Sequence, residues 1–99
     1  MAMCGGTSGL KPATEAEQKI CDEVKSKAEE KAGTKFSQFV AKSFKTQVVA
    51  GTNYFIKVDV GNSSFVHLRV YQTLPHAGST IELTNIKTGL KEDDNLDYF

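Results

Sequence analysis

The stretch Thr52-Asn53-Tyr54-Phe55-Ile56-Lys57-Val58-Asp59-Val60 alternates between two sets of side chains, one residue at a time. Threonine, tyrosine, isoleucine and two valines take the even positions, which is the period-two pattern of a strand with one buried face. Residues 61–64 are turn formers, and residues 65–74 then repeat the alternation, with Val66, Leu68, Val70 and Gln72 on one face. The sequence therefore predicts two long antiparallel strands joined as a hairpin.

Further elements are predicted on both sides of this hairpin. Residues 36–49 and 81–87 give two more strand candidates, of which the first is less cleanly patterned. Thr14 and Glu17 have the spacing of a capping box, which starts a helix that should end at about residue 32, just before Gly33. Apolar residues recur every four positions along it and form one stripe: Ala16, Ile20, Val24 and Ala28. We expect an α+β fold in which one helix lies across a face of a four-stranded antiparallel sheet.

The chain before the helix has a different composition. Residues 1–11 are small and polar and contain three of the eight glycines. They offer too little apolar surface to offset the entropy lost on ordering. We expect a flexible N-terminal trunk that becomes ordered when it binds.

Length and charge exclude several classes of function. Ninety-nine residues suit one domain with a modest core, and the 12 basic and 12 acidic residues cancel. A neutral chain has no long-range field to attract nucleic acid or an anionic membrane, so neither is an expected partner. No apolar run suits a bilayer span or a secretory signal, so we expect a cytosolic protein. Both cysteines, Cys4 and Cys21, are expected to be free thiols.

Cysteine and histidine are the side chains from which a nucleophile and its base would be built. Cys21 falls beside the apolar stripe of the helix, which is typical of a small buried hydrophobe, and Cys4 lies in the trunk without fixed geometry. His67 is expected to be an exposed or half-exposed cross-strand partner. These residues and His76 lack the close-spaced pairs of a zinc site, and the acidic run 92–94 lacks the pattern of a calcium loop. We predict no enzyme, no metal and no cofactor.

Two connections are apolar where a surface connection is ordinarily polar. One is Gln47-Val48-Val49-Ala50-Gly51 and the other is Leu74-Pro75-His76. With the trunk they would make a three-part edge that inserts into a groove. The open alternatives are a strand that turns with small residues, a buried hairpin and, for His76, a polar turn residue.

The same pentapeptide matches the Gln-x-Val-x-Gly signature of the cystatins. With its short chain and no disulfide framework, the protein resembles the intracellular branch of that family, the stefins. The likeness extends over nearly the whole chain and is carried by residues 3–5, 43–47, 52–58, 65–70, 74–76 and 98–99.

The resemblance implies a single cystatin-like domain over residues 1–99, with one helix wrapped by a curved antiparallel sheet of four to five strands. It also implies reversible, tight inhibition of papain-like cysteine peptidases such as the lysosomal cathepsins, by a protein of the cytoplasm and also the nucleus. The implied peptidase-binding residues are Gly5, Gln47, Val48, Val49, Ala50, Gly51, Leu74, Pro75 and His76. The alternative is a non-inhibitory interaction or self-assembly module, in which the monomer forms a domain-swapped dimer.

Overall fold

The computed structural model describes residues 9–74, 78–97 and 99 of the chain. Within these residues the elements follow in the order β1 (Lys11–Pro12), α1 (Glu15–Ala32), β2 (Val40–Val49), β3 (Gly51–Gly61), β4 (Ser64–Gln72) and β5 (Ile81–Leu90). The five strands form one curved antiparallel sheet whose spatial order is the chain order. Helix α1 packs on one face of the sheet, which confirms the predicted fold class.

The core lies between α1 and the sheet. Its buried side chains come from the helix stripe and from alternate positions of the strands, and they include Ile20, Val24, Ala28, Phe44, Ile56, Val58, Val66, Leu68, Val70 and Leu83. Alternation along the central strands is therefore what builds the helix-facing core. Ala16, which was predicted to belong to the stripe, is exposed in the first turn of the helix. Among the described residues, no helix combines the length and apolar character needed to cross a membrane.

Both helix ends have the predicted caps. Glu17 Oε1 accepts from the backbone N–H of Thr14 at 2.8 Å, and the Thr14 hydroxyl accepts from the N–H of Ala16 at 3.3 Å. At the other end Gly33 has φ +74° and donates its N–H to the Glu29 carbonyl at 2.9 Å. Each bond satisfies a main-chain group that the helix itself leaves open.

The strand predicted from Phe36 is wrong at its start, because β2 begins only at Val40. The rings of Phe36 and Phe39 stack at 5.5 Å between centroids and are buried. The Gln18 side chain on α1 donates to the Phe39 carbonyl at 2.9 Å and accepts from the Ala41 N–H at 2.8 Å. The Phe39 carbonyl is thus bonded to the helix and not to a neighbouring strand, and pairing in the sheet begins only at Val40.

The last strand is longer than predicted and ends at Leu90 instead of residue 87. Leu90 pairs with Phe65, and the register of β4 and β5 shifts twice along the pair. Most side chains of β5 are exposed, since it is an edge strand. Bulges and a polar surface together hide the period-two signal of such a strand.

The face of the sheet opposite α1 is covered by the C-terminal segment, defined here as residues 91–97 and 99. Lys57 Nζ donates to the Glu92 carbonyl oxygen at 2.5 Å, and Arg69 Nη1 donates to the main-chain oxygen of Phe99 at 2.9 Å. The Phe99 ring meets the fully buried Phe55 edge to face, with 6.0 Å between centroids. The C-terminal segment thus forms a second, smaller packed layer on the outer face of the sheet.

His67 lies under this layer, and the expectation that it is exposed or half-exposed is wrong. Its residue exposure is 2%. The strand alternation does place it on the outer face, as predicted, but that face is covered instead of open. A packed segment without secondary structure gives no periodic signal in the sequence, which explains the error.

Candidate functional site

The connection between β2 and β3 is a very tight turn. Only Ala50 lies between the two strands, and Val49 pairs with Gly51 across it. Gly51 has φ +116°, a conformation that a residue with a side chain rarely adopts. The signature pentapeptide is therefore the end of a two-stranded ribbon and not a separate loop.

The five signature residues differ in their exposure to solvent. Val48 is 68% exposed and Ala50 is also exposed, whereas Gln47 is only 5% exposed and Gly51 is buried. Val49 is intermediate. Val48 and Ala50 are consequently the exposed residues of this tip.

Gln47 has an internal role in the hairpin. Its Oε1 accepts from Asn53 Nδ2 at 2.9 Å, and the two residues are paired across β2 and β3. Both side chains are buried. A buried amide pair of this kind fixes the register of the strands just below the tip.

The second tip is the connection between β4 and β5. The Thr73 N–H donates to the Thr80 carbonyl at 3.0 Å, and the Thr80 N–H donates to the Thr73 hydroxyl at 2.8 Å. Leu74 follows, with 37% exposure, and its carbonyl accepts from the Ser79 N–H at 3.2 Å. Pro75 and His76 lie outside the described residues. The base of this connection is closed by two threonines, and Leu74 is presented above it.

The strand register brings the two tips to one edge. Thr52 pairs with Gln72, and Gln72 pairs with Ile81, so the ends of β2, β3, β4 and β5 that carry the connections lie side by side. Lys11 pairs with Phe44 in the antiparallel sense, so the chain that precedes it leads toward the same edge. Gly5, the third predicted element, lies outside the described residues.

Leu10 is a residue that sequence reasoning missed. Of the four large hydrophobic residues that the structure describes as exposed, Leu10 at 58%, Val48 and Leu74 lie toward this edge, and Val40 lies at the other end of β2. The only sequence signal was an apolar residue at the end of a polar trunk. Exposed apolar side chains gathered at one edge mark an interaction surface.

The alternative of a cysteine nucleophile is not supported by the geometry. Cys21 belongs to the helix-facing core and is a free thiol, whereas His67 lies on the outer face of the sheet. Burial, with the charges of Asp22 and Glu17, raises the pKa of the Cys21 thiol to about 12, so it is not a thiolate at neutral pH. Cys4 is outside the described residues, within which no group of three or more metal-binding side chains occurs.

Comparison with known proteins agrees with this geometry. The cystatin domain model matches residues 5–92. Cystatin-B of Homo sapiens is 55% identical over 97 residues, which cover 98% of this chain and 99% of the human protein. Cystatin-B of Bos taurus is 52% identical and that of Paralichthys olivaceus 53% identical, each over 97 residues with the same coverage of both chains. The resemblance carried by the signature, the second tip and the strands is confirmed, and the chain belongs to the cystatin family, as a protein similar to stefin B, also called cystatin B.

Proposed function

We propose that this protein is a reversible, tight-binding inhibitor of papain-like cysteine peptidases and not an enzyme. The observation that carries the proposal is the shared edge, where Val48, Ala50 and Leu74 are exposed while Gln47 and Gly51 are held inside. Family membership supports the same function. The target peptidases would include lysosomal cathepsins. The inhibitor itself would reside in the cytoplasm and also the nucleus.

In this mechanism the edge enters the active-site cleft as a wedge. The N-terminal trunk around Gly5 occupies the side before the scissile position, and the two tips cover the catalytic cysteine and the side after it. Val48 and Leu74 bury apolar area, which contributes about 25 cal/mol per Å². No peptide bond of the inhibitor is positioned for attack, so the inhibitor remains intact and binding is reversible.

The tips and the trunk contribute differently to affinity. A ribbon end closed by paired residues is already ordered, which reduces the entropy lost on binding. Pro75 would add a fixed φ and no amide donor to be desolvated. The trunk loses more entropy, so shortening it would mainly accelerate dissociation.

Replacement of Val48 by lysine tests the wedge. Val48→Lys should raise the inhibition constant for papain by at least roughly 100-fold, because it removes buried apolar area and places an unpaired ammonium in the cleft. The measurement is a titration of papain with a fluorogenic peptide substrate, with the inhibitor recovered afterwards and checked for cleavage.

Val40→Lys is the matched control, since Val40 is an exposed valine on the same strand, 40% exposed, at the end away from the edge. It should inhibit like the wild type, within about twofold, because surface substitutions of this kind change little. Equal loss in both variants, or no stoichiometric inhibition by the wild-type monomer, would contradict the proposal.

A second candidate function is self-assembly by exchange of parts between chains. It is favoured by the single-residue connection, because straightening the chain at Ala50 would turn β2 and β3 into one continuous strand. A swapped dimer would lack the tip, so monomer and dimer separated by size should differ by at least roughly tenfold in inhibition of papain per chain. Equal inhibition by the two species would show that the tip is not opened in the dimer.

A further inference from the structure

Tyr71 on β4 lies directly behind the first tip. It pairs with Asn53 across β3 and β4 and shares the outer face of the sheet with Arg69. Its hydroxyl donates a hydrogen bond to the carbonyl oxygen of Ala50. The one residue that connects β2 to β3 is therefore anchored by a side chain from a third strand.

Gly51 shows how closely the tip rests on this tyrosine. A β-carbon at Gly51 would lie 2.7 Å from the Tyr71 hydroxyl oxygen, 2.9 Å from its Cζ and 2.5 Å from the carbonyl oxygen of Gln72. Real β-carbons essentially never lie closer than 3.0 Å to such atoms, and all three distances are shorter than that. The turn thus folds back onto β4, and the missing side chain of Gly51 is what allows the approach.

We propose that Tyr71 is a positioning residue for the inhibitory tip, a role that rests on the proposed function. Its hydroxyl holds the Ala50 carbonyl toward the sheet, so that the side chains of Ala50 and Val48 remain turned outward. Tyr71 acts through Ala50 and does not need to touch the peptidase.

The kinetic consequence follows from preorganisation. If the anchored turn is the form that enters the cleft, then loss of the anchor lowers the fraction of molecules that are competent to bind. That fraction enters the association rate, whereas a lost contact with the peptidase would appear mainly in the dissociation rate. The two roles are therefore distinguishable in one kinetic experiment.

The test is Tyr71→Phe, which removes the hydroxyl and retains the ring. The loss of one such hydrogen bond should lower the association rate with papain about 3- to 10-fold, with little change in dissociation. In the free protein, nuclear magnetic relaxation of the main-chain amides of residues 49–51 should report larger motion of the tip. Thermal unfolding should stay close to that of the wild type.

Tyr54→Phe is the matched control. Tyr54 lies on the neighbouring strand, and its hydroxyl donates to Gln72 Oε1 at 3.3 Å, so the same atom is removed without touching the tip. This variant should retain wild-type association and wild-type tip motion.

Each other outcome overturns the positioning role. A faster dissociation alone would mean direct contact between Tyr71 and the peptidase. A slower association of Tyr71→Phe without added tip motion would mean that the hydroxyl does not act by holding the tip. Wild-type behaviour in both measurements would mean that the hydroxyl is dispensable. If the wild-type protein does not inhibit papain, the proposed function fails, and the tip motion of free Tyr71→Phe decides the positioning of Ala50 by itself.

Discussion

A Gly51→Ala variant is expected to be less stable by about 2–5 kcal/mol and to inhibit papain at least roughly 100-fold more weakly. Two independent terms add. The φ of +116° is strained for alanine, and the new β-carbon would lie 2.5 Å from the Gln72 carbonyl oxygen, which belongs to the main chain and cannot rotate away. Urea unfolding measures the loss of stability, and the papain titration measures the loss of inhibition.

Gly89→Ala is the control that separates strain from contact. Gly89 also has positive φ, +70°, but no atom lies within 4 Å of a β-carbon added there. Gly89→Ala should lower the free energy of unfolding only by the cost of the left-handed conformation, about 1 kcal/mol, and should leave inhibition unchanged. If the two alanine variants were equally stable, the packing of the tip against β4 would be disproved.

Acidification is expected to destabilise the protein through His67, by at most about 3 kcal/mol at 1.36 kcal/mol per pKa unit. Burial, reinforced by the positive charge of Lys57, lowers the pKa of His67 from 6.5 to about 4. Within that net shift, Lys87 also acts to lower the pKa, whereas Asp94 and Asp97 of the C-terminal segment act to raise it. The Nε2 atom of His67 has no hydrogen-bond partner among the described residues.

The sign follows from the two states. In the unfolded chain the imidazole takes up a proton near pH 6.5, whereas in the folded protein it does so only near pH 4. The contribution of neutral His67 to the free energy of unfolding is therefore fully present above pH 6.5 and is lost progressively as the pH falls toward 4.

Unfolding free energies measured between pH 7 and pH 4 should show this loss. In His67→Leu the slope between pH 6.5 and 4 should be smaller, since an apolar side chain takes up no proton. Direct titration by nuclear magnetic resonance must give a His67 pKa well below 6.5, and a value near 6.5 would disprove the argument.

The fold was predictable where the information is local. Thr14 and Glu17 determine the start of the helix and Gly33 determines its end. The alternation from Thr52 to Val60 determines a strand. The start of β2 was not predictable, because Gln18 competes for main-chain groups from 21 residues away in sequence. Contacts of that range leave no periodic trace in a chain.

Two exposed residues of the candidate site were predictable by type, but the arrangement of the site was not. The signature and the second tip identify Val48 and Leu74 by type. The inward position of Gln47 depends on pairing with Asn53, and the anchoring by Tyr71 depends on a register across three strands. Neither relation is visible until the strands are aligned.

Two of the hydrogen bonds that hold the C-terminal segment use atoms that every amino acid possesses. Lys57 and Arg69 bond to main-chain oxygens of Glu92 and Phe99, while the side chains of Glu92 and Asp93 stay exposed. The identity of those two acidic residues is therefore independent of the anchoring. Since the whole chain has a net charge of zero at pH 7, substitution at these positions is a way to shift its isoelectric point while the layer over Phe55 stays in place.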